Sequence, residues 1–278
     1  MDYEKVKNWS FPLQNRAFTR ADTQRYARGF GAGLPGALQA GDQKYLAGEP
    51  LATLPMMGVA LADGEFWQQR PETGIDWKRI VHAAESVTQH RPLPEAGEYQ
   101  VSQRILNIFD RGAERGAMMV EEQIIADKNG VPYVTIEVSL VLKGDGGFGG
   151  PPDTAPRTKL IPEDRAADAS VELKTPNADD SAFSVTVALA VAQGAAEGQQ
   201  MIRGVGCFGL AGRAALHLLC DNQPERLRKF SVRYAGLMFT GETVRVDVWR
   251  LEPGRAALRM TAVERNALIL DQCAIEYA

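Results

Sequence analysis

Apolar and polar residues alternate along several segments of the chain, and a period of two predicts β-strands. In the first half, strands are predicted over residues 99–109, 117–126 and 134–142, with a turn at Asn129-Gly130 between the last two. In the second half they are predicted over residues 244–248, 258–262 and 273–277, with a turn at Pro253-Gly254 between the first two. Such turns between alternating segments are typical of antiparallel hairpins.

The two halves show the same order of signals. Gly97 and Gly241, which each open a long strand segment, lie 144 residues apart in a chain of 278. This spacing predicts an internal duplication, with repeats over residues 1–150 and 151–278. The alternative is two unrelated β-rich halves. The glycine run over residues 144–150 lacks the Lys-Ser/Thr of a phosphate-binding loop, so we interpret it as a flexible connector.

Residues 204–222 are predicted to form a helix that is apolar on almost every side, and such a helix must be surrounded by protein. Its small residues are expected to let a sheet approach closely; they are Gly206, Gly209, Ala211 and Gly212. An antiparallel sheet wrapped around a central helix is the hot-dog arrangement, so the predicted fold class is α+β. Residues 22–31 are the candidate for the matching helix of the first half, with Asp22 as its N-cap.

Composition narrows the function classes. The chain is 45% hydrophobic and 24% charged, which is ordinary for a globular protein with a buried core. A net charge of −4 without a basic cluster argues against a nucleic-acid partner. Three cysteines predict a reducing compartment without disulfides, and the charged N-terminus does not resemble a signal peptide. No apolar run reaches membrane-spanning length. A cytoplasmic location is therefore expected, and no metal site is predicted.

Several motifs carry a resemblance to a known family. Residues 201–212 read Met-Ile-Arg-Gly-Val-Gly-Cys-Phe-Gly-Leu-Ala-Gly and resemble Ile-Leu-His-Gly-Leu-Cys-Thr-Tyr-Gly-Ile-Ala-Gly of the MaoC-like, (R)-specific enoyl-CoA hydratases, the hydratase 2 of multifunctional enzyme type 2. Further similar blocks lie in the same order at residues 54–59, 81–85, 90–94, 110–112, 146–150, 232–234 and 240–243. Their shared order and spacing make the resemblance specific and extend it over nearly the whole chain.

The resemblance implies a double hot-dog protein, usually a homodimer, that binds an acyl-CoA thioester. It implies that the first repeat accepts the acyl tail and that the second carries the chemistry. In the family, an Asp and a His activate the water that adds to a trans-2-enoyl thioester. The backbone N–H at the start of the central helix binds the thioester oxygen, where negative charge develops. No cofactor is implied besides the acyl-CoA itself.

The family's catalytic positions carry other residues in this chain. Counted back from Gly204 without gaps, the Asp falls on Ser181 and the His on Thr186, while the His before the helix glycine becomes Arg203. Hydroxyl groups are too weakly basic to replace a carboxylate–imidazole pair, so standard hydration is expected to be severely impaired. Asp180 would restore a carboxylate if the alignment slipped by one residue, and Arg203 is the other possible substitute.

The substrate contacts carry over better. By motif they fall on His82, Ala83, Arg111, Gly204 and Tyr234. Three side chains leave alternatives open. Arg111 either meets a CoA phosphate or is an ordinary turn arginine, and Arg203 either holds a carboxylate or thioester oxygen or forms a salt bridge. His82 either faces the ligand or does not.

The remaining candidate side chains are interpreted as structural. Cys207 is expected to be buried and inert. His217 is expected to pack within the helix, and His90 to lie on a strand surface.

Three functions remain open at this point. The first is a working lyase on an acyl-CoA or related thioester with a relocated or altered catalytic set, which we favour. The second is a non-catalytic acyl-CoA-binding subunit that partners an active homologue. The third is an isomerase or cyclase that reuses the hydrophobic tunnel.

Overall fold

The computed structural model describes residues 1–154, 158–179, 181–186 and 195–278. Its helices are α1 (Tyr3–Lys7), α2 (Arg20–Gly29), α3 (Gln39–Leu46), α4 (Met57–Ala62) and α5 (Gly204–Leu219). Its strands are β1 (Gln14–Phe18), β2 (Ile80–Gln89), β3 (Gly97–Asp110), β4 (Ala117–Ala126), β5 (Pro132–Leu142), β6 (Ala169–Lys174), β7 (Ser184–Val185), β8 (Met201–Ile202), β9 (Leu227–Arg233), β10 (Met238–Phe239), β11 (Thr243–Glu252), β12 (Arg255–Ala262) and β13 (Ala267–Tyr277). No helix in this part of the chain is long and apolar enough to cross a membrane.

Ten strands form one continuous antiparallel sheet in the order β1-β3-β4-β5-β2-β9-β13-β12-β11-β6. Counted outward from the central β2–β9 pair, the order is β2-β5-β4-β3-β1 in one half and β9-β13-β12-β11-β6 in the other. Each half contributes five strands to this sheet, and both orders run second, fifth, fourth, third and first among those five. Gly97 begins β3, and Gly241 precedes β11, the equivalent strand. The sheet thus has the repeated order that a duplication produces, and the fold is the predicted α+β double hot-dog. The repeat boundaries at residues 150 and 151 remain a prediction.

The strands predicted from the alternation of apolar and polar residues agree closely with the observed hairpin strands. The segment predicted over residues 117–126 matches β4, and the other five predicted segments each lie within an observed strand. Sequence reasoning did not identify β2 and β9, the two central strands that join the halves. Both are paired on two sides in the middle of the sheet.

The central helix α5 is enclosed as predicted, and it packs against β6, β9, β11 and β13. Small residues of this helix were expected to let the sheet approach, but Gly209 and Gly212 lie against side chains of the first half instead. A Cβ at Gly209 would lie 2.0 Å from the Phe30 ring, and one at Gly212 would lie 2.5 Å from Sδ of Met56. The glycines therefore make room for side chains from the first half of the chain rather than for the sheet.

The helix that packs on the first-half strands is α4, and not the candidate predicted over residues 22–31. A helix does form there as α2, but its N-cap is Thr19, and Asp22 completes a capping box from the third helical position. α2 packs on α3 and α4, whereas α4 packs on β4 and β5. All six residues of α4 are buried. α4 is apolar on every side and therefore suits the inner position, whereas α2 has a polar face.

The glycine run between the halves is anchored, contrary to the flexible connector that was expected. The Asp110 carboxylate accepts backbone N–H bonds from Gly147 at 2.8 Å and Gly149 at 2.7 Å, and these bonds help to lower its pKa. A Cβ at Gly146 would lie 2.2 Å from the carbonyl oxygen of Gly112. The glycines are therefore needed for close backbone approach.

A buried ion pair joins α5 to the first half. The Arg213 guanidinium donates to both carboxylate oxygens of Asp42 at 2.6 and 2.7 Å and to the carbonyl oxygen of Phe30 at 2.7 Å. The two side chains are only 4% and 3% exposed. Asp42 also accepts the backbone N–H of Gly33. These bonds fix the first-half helices against α5, opposite the sheet.

Candidate active site

A cavity of about 570 Å³ lies where α5 begins. One wall is the segment over residues 62–68 that follows α4, together with residues 9–12 near the N-terminus. The opposite wall is the inner face of β2, β3, β4 and β5. Residues 203–205 close one end. The cavity is therefore bordered by both halves of the chain, with the start of the central helix exposed to it.

A β-bulge in β2 brings two titratable side chains to this cavity. In the pairing with β5, His82 faces Leu140 and Ala84 faces Ser139, so Ala83 is the extra residue. Side chains of a regular strand alternate between faces, and one extra residue reverses that alternation. His82 and Glu85 consequently both line the cavity, although they are three positions apart.

Glu85 is a buried carboxyl group of the cavity that is connected to the start of α5 through Tyr234. It is 5% exposed, and its Oε2 accepts a hydrogen bond of 2.8 Å from the Tyr234 hydroxyl. Burial raises the pKa of Glu85 to about 7, which outweighs the opposing effect of that hydrogen bond. A carboxyl group with this pKa exchanges protons readily near neutral pH, as a general acid or base requires.

His82 stands beside the same tyrosine. The rings of His82 and Tyr234 lie 4.6 Å apart between centroids. Its Nε2 is buried and has no hydrogen-bond partner among the described residues. Burial lowers the pKa of His82 to about 4, so the imidazole is neutral at physiological pH. A neutral ring with a free nitrogen can orient a water molecule or a hydroxyl group.

The start of α5 supplies backbone donors to the cavity. Gly204 and Val205 are the first two helical residues and line it, and N–H groups in a first turn have no acceptor within the helix. A Cβ at Gly204 would lie 3.1 Å from the Tyr234 hydroxyl oxygen, so glycine allows the tyrosine to lie against the helix start. Donors at the positive end of a helix suit a developing negative charge.

Arg203 precedes these donors and also lines the cavity. Its guanidinium pairs with Asp63 at 2.9 Å, so the salt bridge is formed. Both side chains are about half exposed, at 46% and 50%.

The two positions aligned with the family's catalytic pair are Ser181 and Thr186. The Ser181 hydroxyl is half-buried and accepts the backbone N–H of Phe183 at 3.3 Å, and Thr186 is exposed. Neither is among the described residues that line the cavity. Phe183 stacks on Phe30 with 5.1 Å between ring centroids. Asp180 lies outside the described residues.

Of the predicted substrate contacts, the structure brings four together. His82 and Gly204 line the cavity, and Ala83 and Tyr234 lie directly behind them, joined by a 3.0 Å bond from the Tyr234 N–H to the Ala83 carbonyl oxygen. Arg111 is separate and lies 3.6 Å from the Asp153 carboxylate in the turn after β3.

The side chains interpreted as structural occupy ordinary positions. Cys207 is 3% exposed, and burial raises its pKa to about 12. His217 is half-buried beside Asn222, 3.4 Å from it, and His90 is exposed beside Thr135.

Sequence reasoning missed a second buried carboxyl group in the cavity. Glu121 is 3% exposed and accepts hydrogen bonds from Nε2 of Gln68 at 2.9 Å and of Gln103 at 2.7 Å. Burial raises its pKa to about 7. The signal was present in β4, because inward positions that should be apolar carry Glu121 and Gln123. Glu85 left no such signal, since only the bulge in β2 turns its side chain inward.

The two buried carboxyl groups should make stability depend on pH. Both have a pKa raised from 4.5 to about 7, which corresponds to roughly 3 kcal/mol each. A raised pKa means that the folded state binds protons more tightly, so this stabilisation is present below about pH 4.5 and is lost as the pH rises through about 7. The melting temperature is expected to fall over this window, and Glu121→Gln should flatten the dependence. Calorimetry over a pH series measures both, with the exposed Glu98→Gln as the control; equal slopes in all three proteins would contradict the assignment.

Comparison with known proteins identifies the chain's relatives. No family model matches it. It is 28% identical to 3-hydroxyacyl-thioester dehydratase Y of Mycobacterium tuberculosis, over 94% of this chain and 93% of that protein. It is 27% identical to a Dictyostelium discoideum protein named probable enoyl-CoA hydratase 2, over 91% of this chain and 88% of that protein.

Solved structures agree on the fold. A MaoC-like dehydratase from Phytophthora capsici superposes with a TM-score of 0.82 at 22% identity, over 100% of this chain and 99% of that one. The Drosophila melanogaster peroxisomal multifunctional enzyme type 2 gives a TM-score of 0.73 at 22% identity, over 96% of this chain and 48% of that one. The chain is thus similar over nearly its whole length to proteins named 3-hydroxyacyl-thioester dehydratase and enoyl-CoA hydratase 2, and it shares the double hot-dog fold of the MaoC-like dehydratase structure.

Proposed function

We propose that this protein binds an acyl-CoA or related thioester and interconverts its 2-enoyl and 3-hydroxyacyl forms with a relocated catalytic set. The observation that carries the proposal is the position of Glu85 in the same cavity as the exposed start of α5. A carboxyl group with a pKa near 7 and N–H donors in the first turn of a helix are the two components that this reaction needs. The dehydratase and hydratase names of the relatives support the same substrate class.

The helix start is assigned to the thioester carbonyl. Adding water to a conjugated thioester pushes electron density onto the carbonyl oxygen, which becomes an enolate oxygen. The N–H groups of Gly204 and Val205 would donate to this oxygen, and the positive end of α5 would stabilise the charge. Such donors are fixed before the reaction begins, so little reorganisation is needed when the charge appears.

Glu85 is assigned to proton transfer. In the hydration direction, an O–H bond of water breaks, the oxygen bonds to C3 of the enoyl group, and the proton passes to the Glu85 carboxylate. The protonated carboxyl group then returns a proton to C2 of the enolate, so that water is added overall. Tyr234 holds the carboxyl group by its 2.8 Å hydrogen bond, and neutral His82 would orient the water through its free Nε2. These steps require no cofactor.

One observation favours a non-catalytic alternative. Counted back from Gly204 without gaps, the positions of the family's Asp and His fall on Ser181 and Thr186, so the usual water-activating pair is predicted to be absent. A subunit that binds acyl-CoA beside an active homologue would tolerate this loss. Pairing with such a homologue, assembly as a homodimer and a cytoplasmic location remain predictions.

Turnover and binding together test the proposal. Crotonyl-CoA is incubated with the pure protein while the absorbance of the conjugated thioester is followed, and butyryl-CoA binding is measured by calorimetry. We expect the absorbance to fall at a rate proportional to protein concentration, with 3-hydroxybutyryl-CoA as the product. Ser181→Ala and Thr186→Ala should retain this rate because neither residue is among the described residues that line the cavity. Binding without turnover would support the non-catalytic subunit, a rearranged product an isomerase, and no binding would contradict all of these functions.

A further inference from the structure

The end of the cavity farther from α5 is unusually polar for a site that accepts a hydrocarbon chain. The Glu121 carboxyl group is buried there and is held by the side-chain amides of Gln68 and Gln103. Gln123 lies next to them on β4 and also lines the cavity. Burying polar groups against an alkyl chain removes them from water without compensation, which is unfavourable. The composition of this end therefore points to a ligand with a polar group of its own.

Trp67 provides a second observation at the same end of the cavity. It lines the cavity and is 5% exposed, yet its indole Nε1 has no hydrogen-bond partner among the described residues. Trp9 stacks on its ring with 5.3 Å between centroids, and Phe11 packs on it edge-on at 5.2 Å. The aromatic groups form an apolar wall, while the buried N–H lies near the Glu121 carboxyl group and helps to lower its pKa, without forming a well-aligned hydrogen bond. A buried unsatisfied donor costs free energy that an oxygen atom of a ligand would recover.

The register of the sheet gives the distance between the two ends. Val138 of β5 pairs with Glu85 on one side and with Glu121 on the other. Glu121 therefore lies two strands away from Glu85, or about 10 Å at the usual strand spacing. Both side chains line the same cavity. A thioester whose carbonyl lies at the start of α5 would extend a medium-length acyl chain toward Glu121.

A neutral oxygen fits this end better than a charged group. An anionic group would face the carboxyl group of Glu121, and a cation would compete with the two amide donors that already occupy that carboxyl. A hydroxyl or carbonyl oxygen can accept from the Trp67 N–H, and a hydroxyl can also donate to Glu121. We propose that the protein selects acyl thioesters bearing a hydroxyl or carbonyl oxygen near the distal end of the chain, with Glu121 as the specificity-determining residue. This inference rests on the proposed function, because it takes the thioester to lie at α5.

The test compares two ligands of equal length, octanoyl-CoA and ω-hydroxyoctanoyl-CoA, by titration calorimetry with the whole protein. We expect the hydroxylated ligand to bind about tenfold more tightly, as one recovered buried hydrogen bond predicts. Glu121→Gln keeps a hydrogen-bonding side chain and should retain the preference. Glu121→Leu should reverse it in favour of octanoyl-CoA. Glu122→Leu is the matched control, because the neighbouring side chain points to the other face of β4 and pairs with Arg104.

The outcomes separate this inference from the proposed function. If neither ligand binds the folded wild-type protein, the proposed function fails and the inference fails with it. If both ligands bind equally, or octanoyl-CoA binds more tightly, the inference is overturned while thioester binding stands. A folded Glu121→Leu protein that keeps the wild-type preference would overturn the role of Glu121. Melting temperatures of all variants establish that they are folded.

Discussion

Replacing Glu85 with glutamine is expected to lower kcat/KM for crotonyl-CoA hydration by about 10²- to 10⁴-fold, the usual contribution of a general acid–base group. The amide keeps the shape of the side chain but neither accepts nor returns a proton at neutral pH. Binding of butyryl-CoA should change little, because the backbone N–H groups of Gly204 and Val205 are unaltered. Initial rates and calorimetric affinities measured on the same preparation separate the two effects.

Two further variants make this result specific. Glu98→Gln carries the same chemical change at an exposed position of β3 and should retain wild-type kinetics. Tyr234→Phe removes the hydrogen bond that lowers the pKa of Glu85, so that pKa should rise above about 7. The carboxylate is the basic form, so the rise in hydration rate with pH should then occur at a higher pH than in the wild type.

Glu85 would be excluded as the base if a folded Glu85→Gln protein kept kcat/KM within a few-fold of the wild type. An unshifted pH profile in Tyr234→Phe would remove the positioning role of the tyrosine. The pH profile of Tyr234→Phe tests this role separately from any loss of stability, because the profile depends on the titrating group and not on the fraction of folded protein.

Breaking the buried ion pair should have the largest effect on stability. Asp42→Ala is expected to lower the free energy of unfolding by about 3–5 kcal/mol, because the Arg213 charge is left buried without its partner. The backbone N–H of Gly33 loses its acceptor at the same time. In a chain of this size the melting temperature should fall by about 10 °C. Denaturant titration and calorimetry measure the change.

The control variant changes an exposed ion pair, and the rescue variant removes both charges of the buried pair. Glu163→Ala removes a partner from the Lys159 pair, whose side chains are 75% and 77% exposed, and should leave the melting temperature unchanged. The double variant Asp42→Leu with Arg213→Met should be more stable than Asp42→Ala, because neither buried charge remains. A single variant as stable as the wild type would show that this pair does not hold the first-half helices against α5.

The strands were predictable because half-buried antiparallel strands leave a period of two in the sequence. The hairpins β4–β5 and β12–β13 illustrate this. The central strand β2 was missed, since its bulge at Ala83 interrupts the alternation, and both of its neighbours supply hydrogen bonds from distant parts of the chain. The α4 helix was missed because six residues are too short to show a helical period.

The candidate site was predictable only in part. Motif order located Gly204 and His82, which line the cavity, and Tyr234, which lies directly behind them. The alignment also placed the family's catalytic positions at Ser181 and Thr186, which are not among the described residues that line the cavity. Glu85 was visible as one carboxylate among many, and nothing in its local sequence marks it as buried. Its burial depends on the bulge in β2 and on contacts with Tyr234, which is 149 residues away.

The sequence by itself determined the resemblance to MaoC-like dehydratases, the antiparallel hairpins and the buried central helix, because each of these is recorded in local patterns or in ordered motifs. Only the tertiary structure decided which carboxyl groups face the cavity, which helix covers the first half of the sheet, and how Arg213 finds Asp42. Those features arise from contacts between residues far apart in the chain. Their energies come from burial and from pairing, which exist only once the sheet has closed around α5.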